Sequence, residues 1–277
     1  MMNRTKLLLV PCSGAETLQL AKDIESILRN DYGLDSEILE SLRRSEVPKD
    51  SQKTHTHPLV SDYFPDLEVQ IDIGKNWLKD VIRGKHVVLI EHLLTPDRLA
   101  SSKSNQIVGV NDHNMTVRGY LDVIRKAGGK DDLSPVTLIA PYLDYVRSHS
   151  IEKYESRGFF QFDSLRLTLK DFYKDGLTSL ITIDPHSEKA AQIASDLGLD
   201  FHTVNPFQSS RTINPAKLGL SGGKAKEMLK RNRPFQESFR QLREQYGDHL
   251  YVVSVDDGTE RRAENFVEEP FQNYRSN

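Results

Sequence analysis

The sequence predicts an α/β fold, because short β-branched or leucine-rich runs alternate along the chain with longer amphipathic runs. Strands that alternate with helices usually form a parallel sheet that is covered by helices on both faces. The chain has 277 residues, of which 37% are hydrophobic and 28% are charged. A chain of this size can bury a core large enough for one or two such domains without disulfide or metal crosslinks.

Short apolar runs at five places have the composition of buried strands. They are residues 6–10, 85–90, 136–140, 179–183 and 250–255.

Between the strands, apolar residues recur at three- and four-residue spacing, which predicts amphipathic helices. In the first of these helices the apolar positions are Leu18, Ala21, Ile24 and Leu28. The predicted helices are residues 16–30, 114–126, 188–197 and 225–246.

Polar stretches interrupt this alternation at residues 41–63, 95–108 and 207–233, and we expect surface insertions or connections there. The third stretch contains residues 219–224, which superficially resemble a phosphate-binding P-loop. The spacing fails, because Leu218 stands where the first glycine belongs and Ala225 replaces the Ser or Thr. A serine helix cap followed by a flexible turn is the better interpretation.

Composition excludes several function classes. A formal net charge of -3 argues against nucleic acid as a partner, since phosphate binding favours a basic surface. Cys12 is the only cysteine, which excludes an intramolecular disulfide and agrees with a reducing cytosol. No apolar stretch is long enough to span a membrane, and residues 7–10 are too few for a signal-peptide core. We therefore expect a cytoplasmic protein that binds neither membranes nor nucleic acids.

Polar residues that follow predicted strands are candidates for a binding site, because ligands bind at the carboxyl ends of parallel strands. Arg147 lies just past residues 136–140 and could clamp a phosphate, or it could be an ordinary surface arginine. Asp184 and His186 follow the strand at residues 179–183. Asp256 follows the last predicted strand, and its carboxylate is suited to Mg²⁺.

Residues 64–68 form a further candidate. Asp66 and Glu68 alternate along an extended segment, so both carboxylates point to the same side. Together with the ring of Phe64 they could hold an adenine by stacking and by accepting from its amino group. They could equally be solvated residues that lead into a strand.

The order of these motifs resembles that of the ribose-phosphate diphosphokinases, the PRPP synthetases. The resemblance covers nearly the whole chain collinearly, with insertions at the three polar stretches. The matching segments are residues 13–14, 64–68, 83–85, 111–112, 141–147, 184–186 and 252–256. The resemblance implies two phosphoribosyltransferase-like αβα domains in tandem, each with a parallel sheet. Residues 1–203 would form the first domain, and residues 204–277 would form an incomplete second domain.

The resemblance also implies an activity. The family transfers the diphosphoryl group of ATP, with Mg²⁺, to the 1-hydroxyl of ribose 5-phosphate, giving PRPP and AMP. It implies a homo-oligomer in which the adenine-contacting residues reach into the site of a neighbouring subunit. The implied ATP-binding residues are Phe64, Asp66, Glu68 and Arg147, and the implied residues for Mg²⁺ and the triphosphate are His186 and Asp256. The resemblance assigns a catalytic role to none of the side chains in this sequence.

The sequence departs from the family pattern in the ATP pocket and at its end. Leu67 replaces a glycine, and residues 148–150 replace a charged Gln-Asp-Lys/Arg sequence. Beyond Asp256 there is neither a loop with a catalytic Lys and Arg nor a Thr-Gly-Gly-Thr cradle for the 5-phosphate. We therefore expect a fragment, a short relative that pairs with another polypeptide, or a non-catalytic regulatory subunit of a PRPP synthetase-type oligomer.

Two further alternatives remain at the level of sequence. The acceptor could be a larger ribose compound such as ADP-ribose, since the implied acceptor cradle is missing. The chain could also be a metal-dependent hydrolase that uses His55, His57 and His186, although no Glu or further His lies at ligand spacing near His55 and His57, which are better explained as part of a solvated loop.

Overall fold

A computed structural model describes residues 6–42, 44–54, 59–63, 68–75, 81–93, 97–98, 107–128, 134–146, 151–185, 188–204, 234–249, 251 and 253. The chain divides into two compact units, Met1–Thr203 and Val204–Asn277. In the described ranges, no helix has both the length and the apolar character needed to cross a membrane.

The elements alternate as the sequence predicts. The described strands are β1 Leu7–Pro11, β2 Ser36–Ile38, β3 Val60–Tyr63, β4 Val69–Asp72, β5 His86–Ile90, β6 Asp97–Arg98, β7 Ile107–Val108, β8 Val136–Ala140, β9 Ser179–Ile183 and β10 Asp200–Val204. The described helices are α1 Gly14–Tyr32, α2 Lys49–Thr54, α3 Val110–Gly128, α4 Ile151–Glu155, α5 Ser164–Asp175, α6 Lys189–Leu197 and α7 Pro234–Tyr246. Short 3-10 turns occupy Arg44–Glu46 and Gly247–His249.

Six strands form the central sheet in the order β10-β9-β8-β5-β1-β2. The pairs β1–β2, β1–β5, β5–β8 and β8–β9 are parallel. The register aligns Leu9 with Val88 and Leu89 with Leu138. The α/β fold with a parallel sheet that the sequence predicts is therefore confirmed. From β1 the chain first adds β2 on one side and then β5 on the other, so the strand order reverses between β1 and β5.

Helices cover both faces of the sheet, and alternate residues of β1 point to opposite faces. Leu8 belongs to the larger core, where the buried residues Leu121 of α3 and Leu169 of α5 also lie. Leu9 belongs to the smaller core on the other side, which includes Ala21 of α1. The strands are continuous apolar runs because they are buried on both faces.

Several predicted boundaries match the observed ones. The strands predicted at residues 136–140 and 179–183 agree with β8 and β9, and those at 6–10 and 85–90 differ from β1 and β5 by one residue. The predicted helices 16–30, 114–126 and 188–197 correspond to α1, α3 and α6. Helix α1 is longer because Gly33, at φ 62°, ends it in a left-handed turn.

Helix α5 is missing from the elements that the sequence analysis identified. Leu165, Leu169 and Phe172 are buried at helical spacing along it. Asp163 caps its first turn by accepting from the backbone N–H of Arg166, and Gly176 ends it at φ 110°. These signals were present in the sequence and could have identified the helix.

The polar stretch at residues 41–63 is more than a surface connection. It contains α2 and β3, and Leu59 and Val60 are buried at its end. Strand β3 pairs with β4 in an antiparallel hairpin, which packs against α3. The contact is close, since a Cβ at Gly119 would lie 2.8 Å from Cγ1 of Ile71. The prediction of a surface connection was wrong here, because the mainly polar stretch also contains a short apolar segment, Leu59 and Val60, that is buried.

The other two polar stretches are described only in part. The antiparallel pair β6–β7 lies within residues 95–108, and β7 is at the end of this stretch. Residues 207–233 lie outside the described residues.

In the second unit, α7 accounts for the second half of the helix that the sequence predicts at residues 225–246. Tyr251 and Val253 are the described residues of the strand predicted at 250–255. Neither is in a strand, and they are 81% and 80% exposed. The prediction of a buried strand is wrong for these two residues, because an apolar run forms a strand only where a neighbouring strand pairs with it.

We predict that Leu169→Ala lowers the free energy of unfolding by about 2–5 kcal/mol, because it removes a fully buried side chain from the larger core. Lys170→Ala, on the exposed side of the same helix, is the matched control and should change it by about 0.5 kcal/mol or less. Urea denaturation followed by circular dichroism measures both. Equal effects of the two substitutions would contradict the assigned packing of α5.

Candidate functional site

The carboxyl edge of the sheet between β1 and β5 is the candidate site. In open α/β sheets, ligands bind in the crevice where the strand order reverses. Ser13 follows β1, Glu91 follows β5, and Asp144 and Tyr145 follow β8. The site can therefore be built from the side chains that extend beyond these strand ends.

Glu91 is fully buried, and its Oε1 accepts three hydrogen bonds. The hydroxyl of Ser13 donates at 2.5 Å, the backbone N–H of His92 at 2.9 Å, and His113 contacts it through Nδ1 at 3.0 Å. The His113 side chain is itself only 1% exposed. One carboxylate oxygen therefore connects the end of β1, the end of β5 and the first turns of α3.

The turn between β1 and α1 leaves the hydroxyl of Ser13 available for this contact. Ser13 is the N-cap residue of α1, yet its side chain makes no hydrogen bond to the helix. Gly14, at φ 68°, adopts the left-handed conformation that reverses the chain direction. The N-terminal end of α1, which carries partial positive charge, consequently lies at the candidate site.

Asp144 forms a second buried group at the edge and is 1% exposed. Asn114 of α3 donates from Nδ2 to Oδ2 of Asp144 at 2.5 Å and to the carbonyl of Val110 at 3.1 Å. Burial raises the pKa of Asp144 to about 6, although the hydrogen bond from Asn114 and the charge of His113 oppose the shift. A carboxyl with this pKa changes its charge near neutral pH.

Several buried oxygen atoms at this edge have no hydrogen-bond partner. They are Oε2 of Glu91, Oδ1 of Asn114, Oδ1 of Asp144 and Oγ1 of Thr182. Buried polar atoms are nearly always paired, so these oxygens would be satisfied by the donors of a ligand or by ordered water.

Carboxylate oxygens are the type of ligand that Mg²⁺ prefers. Within the described ranges, however, there is no group of three or more His, Cys, Asp or Glu residues that could hold a metal ion. The described side chains therefore do not form a complete metal site by themselves.

The backbone is strained at the ends of β8 and β9. Tyr145 and Asp184 are not glycines, yet they have φ values of 54° and 40°. Such conformations are costly and concentrate at binding sites. The hydroxyl of Tyr145 donates to Oδ1 of Asn111, which fixes this residue against the start of α3.

An open cavity of about 270 Å³ adjoins this edge between α3 and α5. Asn114 and Tyr145 line the side towards the strand ends, and Met115, Phe162 and Leu167 line the apolar side. Arg118 also lines it, and its guanidinium is paired with Asp171 at 3.3 Å and with Asp175 at 2.6 Å.

Of the residues predicted from sequence to bind ATP or Mg²⁺, Glu68 is the one that the structure describes. It is exposed and directly precedes β4, and its contact with adenine remains a prediction. The other predicted site residues lie outside the described residues, and their roles remain predictions. These are Phe64, Asp66, Arg147, His186 and Asp256. His55 and His57 also lie outside the described residues.

The segments that resemble motifs of the PRPP synthetases do not all lie at the candidate site. The segments at residues 13–14 and 141–146, and Asp184, follow the strands β1, β8 and β9. Lys85, in contrast, precedes β5 at the opposite edge and pairs with Glu37. The hydrogen bond from Lys85 lowers the pKa of the Glu37 carboxyl. The segment at residues 83–85 therefore supports the sheet at the edge away from the site.

The sequence analysis did not identify Glu91, His113, Asn114 or Asp144. A glutamate directly after an apolar strand could have drawn attention to Glu91. His113 lies four residues before the buried Val117, so its position in the sequence is that of an ordinary core-facing helix residue. The pairing between them depends on the tertiary fold.

Comparison with known proteins supports the fold. No protein-family model matches the sequence, and no curated protein matches it. A crystal structure of phosphoribosylpyrophosphate synthetase from Mycobacterium smegmatis is similar, with a TM-score of 0.57 and 14% sequence identity. The match covers 95% of this chain and 60% of the synthetase chain. The chain thus has a PRPP synthetase-like fold of the phosphoribosyltransferase type, and at this identity the likeness concerns the fold alone.

We predict different outcomes for two substitutions of Glu91. Glu91→Ala should lower the free energy of unfolding by about 3 kcal/mol, because Ser13, the backbone N–H of His92 and Nδ1 of His113 all lose their hydrogen bond to Oε1. Glu91→Gln can keep its oxygen at the position of Oε1 and should stay within about 1 kcal/mol of the original protein. Chemical denaturation at pH 7 measures both. If both substitutions had the same small effect, the proposed hydrogen-bond network would be contradicted.

We also predict that Asp144 makes stability depend on pH. Its carboxyl has a pKa of about 6 in the folded chain, compared with an ordinary value of 3.8. The folded state therefore binds more protons than the unfolded state between these values, and stability falls as pH rises through this window. The difference corresponds to about 3 kcal/mol.

Asp144→Asn removes this titration and keeps an oxygen that can accept from Asn114. The free energy of unfolding of the original protein, relative to the variant, should therefore fall by about 2 kcal/mol between pH 4 and pH 7. Denaturation curves of both proteins at several pH values measure this difference. A difference that is independent of pH would show that burial does not perturb Asp144.

Proposed function

We propose that this chain belongs to a diphosphoryl transferase that uses ATP and Mg²⁺ and acts on the 1-hydroxyl of ribose 5-phosphate or a related ribose compound. The products would be PRPP and AMP when ribose 5-phosphate is the acceptor. One observation carries the proposal. A buried polar network around Glu91 lies where the strand order reverses, in a fold that is similar to a PRPP synthetase.

Each part of the edge would have a separate role in binding. The N-terminal end of α1 would attract phosphate oxygens through its partial positive charge. Ser13 and His113 fix Glu91, whose second oxygen would accept a hydrogen bond from a ligand hydroxyl or amino group. Asn114 orients Asp144 in the same way, so both carboxylates are positioned before a ligand binds.

Charge neutralisation would come from residues whose roles are implied by the resemblance to the PRPP synthetases. His186 and Asp256 are the residues that the resemblance implies for Mg²⁺, and the ion would supply charge neutralisation for the triphosphate. Arg147 would line the ATP pocket and contact phosphate oxygens. Phe64, Asp66 and Glu68 would contact the adenine of a neighbouring subunit in a homo-oligomer. No side chain is required to form a covalent intermediate.

The alternative is a regulatory or partner subunit that binds a nucleotide without turning it over. One observation favours this reading. Two acidic side chains, Glu91 after β5 and Asp144 after β8, are buried at this edge. Two buried carboxylates at this edge would oppose the binding of a triphosphate unless cations from other parts of the protein neutralise them.

Release of AMP from ATP tests the proposed activity, and Arg147→Ala is the informative variant. With Mg²⁺ and ribose 5-phosphate, the original protein should release AMP, and Arg147→Ala should lower kcat/KM at least ~100-fold by removing a charged phosphate contact. Arg157→Ala is the matched control, because Arg157 is an exposed arginine ten residues further along the chain. It should leave the rate within about twofold of the original.

The same experiment separates the two readings. Absence of AMP, together with ATP binding that Arg147→Ala weakens, would overturn the transferase and favour a regulatory subunit. In that case the chain should change the rate of a catalytic partner while releasing no AMP alone. Equal loss in the Arg147 and Arg157 variants would contradict the assignment of Arg147.

A further inference from the structure

The cavity between α3 and α5 has side chains to which the proposed reaction gives no role. Its volume is about 270 Å³, just below the range of about 300–1,000 Å³ that is usual for the pockets of drug-sized ligands. A cavity of this size suits a ligand of one ring with a short substituent. It is small for a complete nucleoside triphosphate.

One wall of the cavity is apolar. Met115 of α3 is 53% exposed, and Phe162 and Leu167 are 69% and 45% exposed. Phe172 also lines the cavity and is buried. Apolar side chains that remain in contact with water gain free energy when an apolar ligand covers them. An aromatic ligand would in addition gain from contact with the ring of Phe162.

Two polar groups in the cavity have no hydrogen-bond partner among the described residues. The hydroxyl of Tyr145 donates to Oδ1 of Asn111, which leaves the amino group of Asn111 to donate elsewhere. The hydroxyl of Thr168, on α5, can both donate and accept. A ligand that offers a carbonyl oxygen to Asn111 and an N–H to Thr168 would pair both groups. A carboxamide has both of these atoms.

Asn114 adds a hydrogen-bond acceptor to the same wall. Its Nδ2 donates to the carbonyl of Val110 and to Oδ2 of Asp144, which fixes the orientation of the amide. Its Oδ1 is therefore an acceptor, and it is buried without a partner. Acceptors of this kind favour a ligand that carries N–H donors and disfavour a carboxylate, which carries none.

The charges of the wall favour an uncharged ligand. Among the described residues that line the cavity, the charged ones are Arg118 and Asp171, which pair at 3.3 Å. Arg118 also pairs with Asp175 at 2.6 Å. An anionic ligand would compete with these two carboxylates for Arg118, and a cationic ligand would have to displace Arg118 from them. The exposed cations Arg157 and Lys170 line no part of the cavity, and water and salt screen their charges.

We propose that the cavity between α3 and α5 binds a small uncharged aromatic carboxamide. The ring would lie against Met115, Phe162 and Leu167, and the amide would pair with Asn111 and Thr168. The same ligand would contact Asn114, which orients Asp144 at the candidate site. The binding uses neither a phosphate nor a metal ion, so it does not depend on the proposed reaction.

A titration of the ¹⁵N-labelled whole chain with benzamide, without ATP or Mg²⁺, tests the site by NMR. The amide signals of residues 111–118 and 162–172 should shift, with a dissociation constant on the order of 1 mM for so small a ligand. Benzoate and benzamidine have nearly the same shape but are charged, and each should bind at least ~5-fold more weakly. Binding of either charged compound as tight as that of benzamide would overturn the proposal.

Two exposed phenylalanines provide a matched pair of variants. Phe162→Ser should raise the dissociation constant of benzamide at least ~5-fold, because it removes the aromatic side chain from the wall. Phe160→Ser is the control, since Phe160 is 98% exposed and does not line the cavity. It should leave the dissociation constant within about twofold of the original.

Thr168→Val tests the polar contact, because it removes the hydroxyl and nearly keeps the volume of the side chain. It should raise the dissociation constant at least ~3-fold. Equal effects of Phe162→Ser and Phe160→Ser, or no effect of Thr168→Val, would overturn the proposal. Absence of saturable shifts at about 20 mM benzamide, roughly twentyfold above the expected dissociation constant, would also overturn it.

Discussion

The contact between one buried carboxylate oxygen and three donors holds the candidate site together. Oε1 of Glu91 accepts hydrogen bonds from the hydroxyl of Ser13, after β1, and from the backbone N–H of His92, after β5. It also contacts Nδ1 of His113 in α3. Burying a carboxylate is costly unless hydrogen bonds compensate for the lost water. Since all three bonds go to one oxygen, the second oxygen is fixed in position and remains without a partner.

The parallel sheet explains why these groups meet. In a parallel sheet all strands end at the same edge, so residues distant in sequence are brought together there. The same arrangement places Asp144 and Asn114 beside the network, and the cavity between α3 and α5 adjoins it. The candidate site and the strained residues Tyr145 and Asp184 therefore lie at one edge of one parallel sheet.

The sequence predicts β1, β5, β8 and β9, because these strands are continuous apolar runs, but it misses the outer strands β2 and β10 of the same sheet. β8 and β9 match their predicted boundaries, and β1 and β5 differ by one residue. The site was less predictable. Glu91 and His113 are separated by 22 residues and meet only through the packing of α3 on the sheet. The buried strand expected at residues 250–255 is wrong for Tyr251 and Val253, which are exposed and lie in no strand.

Hydrogen–deuterium exchange with and without Mg²⁺ and ATP tests the location of the site most directly. If ligand binds where the strand order reverses, peptides containing residues 12–16, 91–93 and 141–146 should exchange more slowly when it is present. Peptides containing residues 83–85, at the opposite edge, should be unchanged. Protection confined to the opposite edge, or no protection at saturating ligand, would contradict the account.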